Sequence, residues 1–358
     1  MREAPAAVTA LIVNHNGGDR VLRVLKALAA QTYPLKATIV VDNESTDGSP
    51  DAIRAEYPHV TVLEMGSNAG LSAARNAGLA AAATPLALML DHDIYVENGC
   101  IEAMVKAKLS SGAAVVCPRI RLIPERDIVQ ADGAALHFVG TMVLCNDYKA
   151  LADTPAQSGP TDGCIGACML VDREKVLDAG AFDPLIFFYM EDHEFSLRMR
   201  SLGHGFWCEA TAEVFHERAA GTPGLSYRGS GGYPVRRAYF TMRHRLLTML
   251  VHYHLRTLLV LAPALFLYEI ASLAAAARKG WAWQWFRAWG WQWKNRSAIA
   301  ERRSKSQRRR RLADRELLVG GSPPLAPGFL TSKVQMALVT GLSTILNSYW
   351  RIARAWIG

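Results

Sequence analysis

Over its first hundred residues the chain alternates short apolar runs with segments of helical period, and this alternation constrains the fold more than any other feature. Thr9–Val13 is an apolar run closed by the turn signal Asn14–Gly18, and Val21, Leu22, Leu25 and Leu28 then recur at helical spacing until Pro34. Thr38–Val41 reads as a second strand, and Ser49 ahead of Pro50 as a helix start with a capping residue and a proline at the first helical position. Val60–Leu63, the alanine-rich helix Gly70–Ala83 and the strand Leu86–Leu90 continue the pattern. Repeated strand and helix units predict an α/β domain with a parallel sheet, whose ligands gather at the carboxyl ends of the strands. Asp42, Asp91 and Asp93 each fall just after a strand, so one cleft would contain all three.

The stretch LALMLDHDIYVENG, residues 86–99, runs an apolar strand into two aspartates with almost no local countercharge. An unpaired buried carboxylate costs several kcal/mol, so such acids lie at an exposed strand end or hold something cationic. An Asp-x-Asp at that place suits Mg²⁺ or Mn²⁺, which prefer carboxylate oxygens and keep positions for water and substrate phosphate. Further on, GCIGACMLV (163–171) is a loop and strand of small residues, where backbone must pass close to something. FYMEDHEFSLRMR (188–200) puts Glu191 and Asp192 at a helix start, where the dipole favours acids and holds a carboxylate ionised.

A chain of 358 residues with 50% apolar composition fills one large domain and an appendage, which excludes a disordered protein. Its six cysteines (Cys100, Cys117, Cys145, Cys164, Cys168, Cys208) show no CxxC spacing and read as reduced core thiols. The N-terminal apolar run Val8–Val13 is too short for a signal peptide, so a cytosolic catalytic part is expected. The net charge of +8 is local: between Lys294 and Arg315 ten basic residues face only Glu301 and Asp314. Around this run lie the mostly apolar Leu246–Ala277, six tryptophans between Trp281 and Trp293, a Pro/Gly break at Gly320–Gly328 and a last apolar stretch Val334–Trp350. Tryptophans beside arginines and apolar helices suit a bilayer headgroup region. Leu246–Ala277 is expected as in-plane or re-entrant helices broken near Pro263, with the charged segment on the cytosolic side. Nucleic-acid binding through 294–315 is the competing reading from another class, and the flanking apolar helices argue against it.

The motifs VNHNG, VVDNESTDGS, NAGLSAARNAG, LMLDHD, GCIGACMLV, FYMEDHEFSLRMR and EVFHE occur in the order and spacing that resemble the family 2 glycosyltransferases with the GT-A fold, over about residues 7–220. The closest likeness is to bacterial rhamnosyltransferase-like members, which also carry membrane-associating C-terminal helices. The resemblance implies a GT-A catalytic domain over 1–238, with a Rossmann-like, mostly parallel sheet flanked by helices. It also implies C-terminal amphipathic and apolar helices over 239–358. Asp42, Asn68, Arg75 and Asp91 would contact a nucleotide-sugar donor. Asp93 would be the main ligand of Mg²⁺ or Mn²⁺, joined by Asp91 and by His216 of VFHE. Asp192 would be the catalytic base, with Glu191 or Glu194 as fallback. The implied reaction is a metal-dependent, inverting transfer of one sugar, first choice dTDP-L-rhamnose, to a lipid-linked saccharide at the cytoplasmic face of the plasma membrane, with an anionic membrane surface as partner and no nucleic acid. Transfer to a polyprenyl phosphate is the alternative. The Gln-x-x-Arg-Trp motif of processive polymerases is missed by one residue in QWFRAW (284–289), which points to single addition.

Overall fold

The computed structural model describes residues 6–217, 235–324 and 332–358. It divides into two compact units. The first comprises residues up to 134, 144–199 and 204–218, and the second 135–143, 200–203 and 219–358.

The first unit opens with β1 (Val8–Asn14), α1 (Asp19–Ala29), β2 (Ala37–Asp42), α2 (Ser49–Glu56), β3 (Thr61–Glu64), α3 (Leu71–Ala81) and β4 (Leu86–Asp91). It continues with β5 (Ile94–Val96), α4 (Cys100–Ser111), β6 (Val115–Ile123), β7 (Val129–Ala131) and β10 (Gly159–Thr161), while β8 (Ala134–His137) and β9 (Thr141–Leu144), between β7 and β10 in the chain, fall almost wholly in the second unit. β11 (Cys168–Asp172), α5 (Arg173–Asp178), α6 (Glu191–Ser201) and β12 (Phe206–Glu217) complete it. The sheet order is β10-β12-β6-β11-β4-β1-β2-β3, with β5 against β12 and β7 against β6. All seven residues of β1 are buried between β2 and β4, as a central strand covered on both faces requires. α1 covers it with Val21, Val24, Leu25 and Leu28.

β3, β2, β1 and β4 are parallel, as the alternation predicts, but the other half is mixed because β11 enters antiparallel between β4 and β6. This reversal lays the start of β11 beside the end of β4, where the Asp91 N–H donates to the Ala167 carbonyl at 3.0 Å. Pro50 stands in the first turn of α2 as expected, but Ser49 is not the cap: its N–H and hydroxyl both donate to Asp47 Oδ1, at 3.0 and 2.6 Å. All six cysteines are free thiols and only Cys145 is exposed.

The second unit carries α7 (Val235–His252), α8 (Leu255–Arg278), α9 (Ala282–Lys294), α10 (Arg296–Arg309), α11 (Asp314–Leu317), β13 (Leu318–Val319) and α12 (Lys333–Ala353). β13 joins β8 and β9 in a small sheet, and Phe138 stacks on Trp350 with ring centroids 4.9 Å apart. The polybasic run serves partly as internal glue. The carbonyls that α7 leaves unpaired at its C-terminus accept from α10 and its extension: Leu250 and Tyr253 from Arg303, Val251 and His252 from Gln307, and His252 again from Arg310. Cations at a helix C-terminus also complement its dipole.

The apolar segment does not break near Pro263. α8 runs through it, and the break lies at Tyr253–His254. Pro263 lacks the N–H that would serve the Leu259 carbonyl, and beside that point Tyr349 of α12 donates its hydroxyl to the Val260 carbonyl at 2.6 Å. α8 is long and apolar enough to cross a membrane by length and composition. Its one acid, Glu269, pairs with Arg245 of α7 and accepts from the indole N–H groups of Trp285 and Trp289, at 3.1 and 3.2 Å.

Candidate active site

β1, β2, β4 and β12 deliver their C-terminal residues to one edge of the sheet. At the end of β1, Asn14 Nδ2 donates to Asp42 Oδ1 at 2.9 Å and to Ser49 Oγ at 2.9 Å. Asp42 is buried, and it also accepts from the Ser45 hydroxyl and N–H at 2.6 and 3.0 Å. Most of its accepting capacity is therefore spent inside the protein, where it anchors the loop 43–49. Asn68, expected beside the donor, bridges two loops: its Oδ1 accepts from Asn43 at 3.1 Å and its amide lies 3.3 Å from His15 Nε2.

Arg75 differs most from expectation. Its guanidinium is not presented to a ligand but buried, donating to Asp91 Oδ1 at 3.0 Å, Glu191 Oε1 at 3.1 Å and the Gly166 carbonyl at 2.7 Å. Three distant segments thus meet on one cation. Gly166 is required here, because a Cβ would lie 2.6 Å from Arg75 Nη1. This is the close approach that the small residues of 163–171 foretold. Asp91 offsets Arg75 and keeps its second oxygen. Burial pushes its carboxyl above the ordinary value, since Arg75 only partly opposes it and Asp93 adds repulsion.

Asp93 and His216 face each other, with Nε2 3.7 Å from Oδ2. β12 pairs His216 with Ile94 of β5, which fixes this register. Burial pushes the Asp93 carboxyl up, and the charge of His216, with His92 and Arg20, outweighs it and leaves it lowered. His216 Nδ1 lies 2.8 Å from Gln130 Oε1. With Nδ1 turned to Gln130, Nε2 faces Asp93 Oδ2, and either a proton on Nε2 or a metal cation in its place would sit between the two. The donor set fits a hard divalent ion, which takes one or two protein ligands and fills its shell with water and phosphate. Among the described residues no group of three or more His, Cys, Asp or Glu forms a complete cage.

α6 brings the remaining acids. The loop before it is pinned to the start of α3: the Leu71 N–H donates to the Phe187 carbonyl at 2.8 Å, and Ser72 Oγ to the Ile186 carbonyl at 2.5 Å. Gly70 has φ +88°, and a Cβ on it would come within 2.5 Å of that Phe187 oxygen. Tyr189 and Met190 then both adopt left-handed backbone, φ 65° and 70°. Two such residues in succession store strain just before Glu191 and Asp192.

Of the acids on α6, Glu191 is buried against Arg75, and Glu194 is buried and accepts from Arg198 at 2.7 Å, so neither fallback base is presented to an acceptor. Asp192 is half-buried, accepting from its neighbour's N–H at 2.8 Å and the Gly166 N–H at 3.3 Å. Burial first and the charge of Glu191 second push its carboxyl up to about 7, against Arg75 and the two amides. The dipole argument for a fully ionised carboxylate is therefore overturned by desolvation. Asn14 and Gln130 were missed from sequence: VNHNG at a strand end was a signal for the first, while Gln130 reaches His216 only through the β7-β6-β12 pairing.

Residues 9–176 match the family described as glycosyl transferase family 2. The N-acetylglucosaminyl-diphospho-decaprenol L-rhamnosyltransferase of Mycobacterium tuberculosis (strain H37Rv) is 28% identical over 233 residues, covering 59% of this chain and 76% of that protein. The pre-mycofactocin glycosyltransferase of the same organism is 26% identical over 211 residues, covering 59% of this chain and 42% of the relative. Among solved structures, GalNAc-T7 with UDP, GalNAc and Mn²⁺ superposes with a TM-score of 0.60 at 16% identity, covering 76% of this chain and 52% of that one, a likeness of fold. Strand-end acids, an order of motifs and an α/β sheet of GT-A type agree with the match: residues 9–176 are a glycosyl transferase family 2 segment, and they hold the strand ends that carry Asp42, Asp91 and Asp93.

Proposed function

We propose that the chain transfers one sugar from a nucleotide-diphosphate donor, dTDP-L-rhamnose first, to a hydroxyl of a lipid-linked saccharide, with inversion and with Mg²⁺ or Mn²⁺. The observation that carries the reading is one bracket: Arg75 ties Asp91 to Gly166, whose N–H holds Asp192, while Asp93, two residues beyond the end of β4, faces His216 of β12. Asp93 and His216 would hold the ion, which when bound supplies positive charge against the leaving diphosphate. Asp42, through the loop it anchors, and Asn68 shape the end where the nucleoside would lie. Asp192 takes the proton of the acceptor hydroxyl as it attacks. Its carboxyl, near 7, sits where a base is both ionised in a useful fraction and strong enough to accept a proton. Glu191 and Arg75 act through their neighbours as positioning residues. The likeness to the mycobacterial rhamnosyltransferase supports the choice of sugar and of a diphosphate-linked lipid acceptor.

The membrane reading belongs to the same proposal. Leu255, Leu259, Phe266 and Ile270 leave one face of α8 exposed, and Trp283, Phe286 and Trp293 do so on α9. These faces would lie in the cytoplasmic headgroup region.

The test is a nucleotide-sugar panel with Mg²⁺ or Mn²⁺, scored for nucleoside diphosphate release, with a lipid-linked saccharide or free polyprenyl phosphate as acceptor. Release with dTDP-L-rhamnose and the lipid-linked saccharide is expected. Asp93→Asn should remove most turnover and weaken metal-dependent dTDP binding in calorimetry, because an amide lacks the charge that offsets the ion's lost hydration. Full activity in excess EDTA overturns the metal assignment, and preference for the free phosphate overturns the acceptor.

A further inference from the structure

In the second unit α11, β13 and the C-terminal end of α12 border an open, shallow cleft of about 560 Å³, lined by Arg315, Glu316, Leu318, Val319, Arg351, Arg354 and Ala355. The three arginines are exposed, and none of them makes an ion pair or side-chain hydrogen bond among the described residues. This is unlike Arg303 and Arg310 nearby, which are spent on α7 carbonyls. The one carboxylate in the cleft, Glu316, accepts from the Ala313 N–H at 2.8 Å. Arg351 and Arg354 lie one helical turn apart, where like charges repel. Three guanidinium groups against one carboxylate leave two positive charges beside the apolar side chains of Leu318, Val319 and Ala355.

α12 also says where the cleft lies. Val334, Leu338, Ile345 and Ile352 recur at spacings of one and two helical turns and form an exposed apolar stripe, Leu338 and Ile352 being 68% and 72% exposed. Arg351 and Arg354 stand off that stripe. A helix laid into a bilayer surface by such a stripe holds its flanking arginines at headgroup depth.

We propose that this cleft binds the diphosphate of a lipid-linked saccharide at the membrane surface through Arg315, Arg351 and Arg354. A diphosphate diester carries two negative charges and matches the cleft's balance, whereas the phosphodiester of an ordinary anionic lipid carries one. Paired N–H groups of guanidinium match phosphate oxygens in geometry as well as charge. The inference rests on the glycosyl-transfer reading for the identity of the lipid, and on the cleft alone for the diphosphate.

Flotation of the full chain with phosphatidylcholine vesicles tests it, one set carrying a polyprenyl-diphospho-saccharide and the other phosphatidylglycerol at equal surface charge. The chain should prefer the diphosphate vesicles by roughly tenfold or more, and soluble pyrophosphate should compete for them. Changing Arg315, Arg351 and Arg354 together to Gln should erase the preference, weakening diphosphate-vesicle binding well beyond the loss on phosphatidylglycerol vesicles, while leaving dTDP-sugar binding intact. Glu316→Gln should tighten binding, a gain that damage to the fold does not produce. Equal flotation with both vesicle sets, which signals bulk surface charge alone, overturns the inference, as does an unchanged preference in the triple variant. A chain that selects diphosphate vesicles yet releases no nucleoside diphosphate from any sugar donor overturns the proposed reaction and leaves the cleft assignment standing.

Discussion

Asp192 and Glu191 sit side by side at one helix start, and their surroundings give them different work. Glu191 is closed in and engaged by Arg75; Asp192 remains partly open, with its carboxyl pushed up to about 7. As the base, Asp192 should make turnover rise with pH through about 7 and level off above it, and Asp192→Asn should remove that limb and lower turnover by roughly 10²- to 10⁴-fold while donor binding persists. Stability should move the other way. The folded carboxyl keeps a proton that the unfolded chain, near the ordinary 3.8, has already released, so folding stability falls as pH rises between those two values. Asp192→Asn should therefore raise the thermal midpoint relative to wild type above pH 7 and leave it nearly unchanged well below pH 4. Calorimetry and a pH–rate profile of one purified variant check both; turnover within about threefold of wild type ends the assignment of the base.

At the scale of elements, α8 carries a single acid, Glu269, within its long apolar stretch between Arg256 and Arg278, and the acid is neutralised by its neighbours. Glu269 pairs with Arg245 and takes two indole N–H groups, which ties α8 to α7 and α9. Glu269→Ala would leave Arg245 buried without its partner and cost about 3–5 kcal/mol. Glu269→Ala with Arg245→Met should recover most of that, since two apolar side chains need no compensation. Chemical denaturation of the single and double variants measures the difference, and equal losses in both would show that the ion pair does not hold the helices. A helix tied in this way through its own acid is better suited to lie along a bilayer surface than to cross it alone, although its length permits crossing.

For the whole molecule, the proposed in-plane placement of α8 makes a prediction about topology. A crossing by α8 would place the basic residues that follow on the side opposite the preceding chain, against the positive-inside tendency. With α8 in the plane of the membrane, Arg308 and Arg309 of α10 and Arg54 of α2, all exposed, stay on the cytoplasmic side together. Trypsin should cut at both places in inside-out vesicles and at neither in right-side-out ones. Cleavage at Arg308–Arg309 from the opposite face to Arg54 would sink the arrangement.

The sequence by itself determined the parallel half of the sheet, the helix beginning at Glu191 and the gathering of Asp42, Asp91 and Asp93 at strand ends, because period and turn chemistry are local and survive without a partner. It also carried the family likeness, which lives in the order of short motifs. Tertiary structure alone decided the burial of Arg75, the antiparallel entry of β11, the reach of Gln130 to His216 and the spending of Arg303 and Arg310 on α7. Each depends on which segments, far apart in the chain, are brought together. Burial is a property of that assembly: it turned an expected donor-binding arginine into the pin between Asp91 and Glu191, and a carboxyl expected to be fully ionised into one pushed up to about 7.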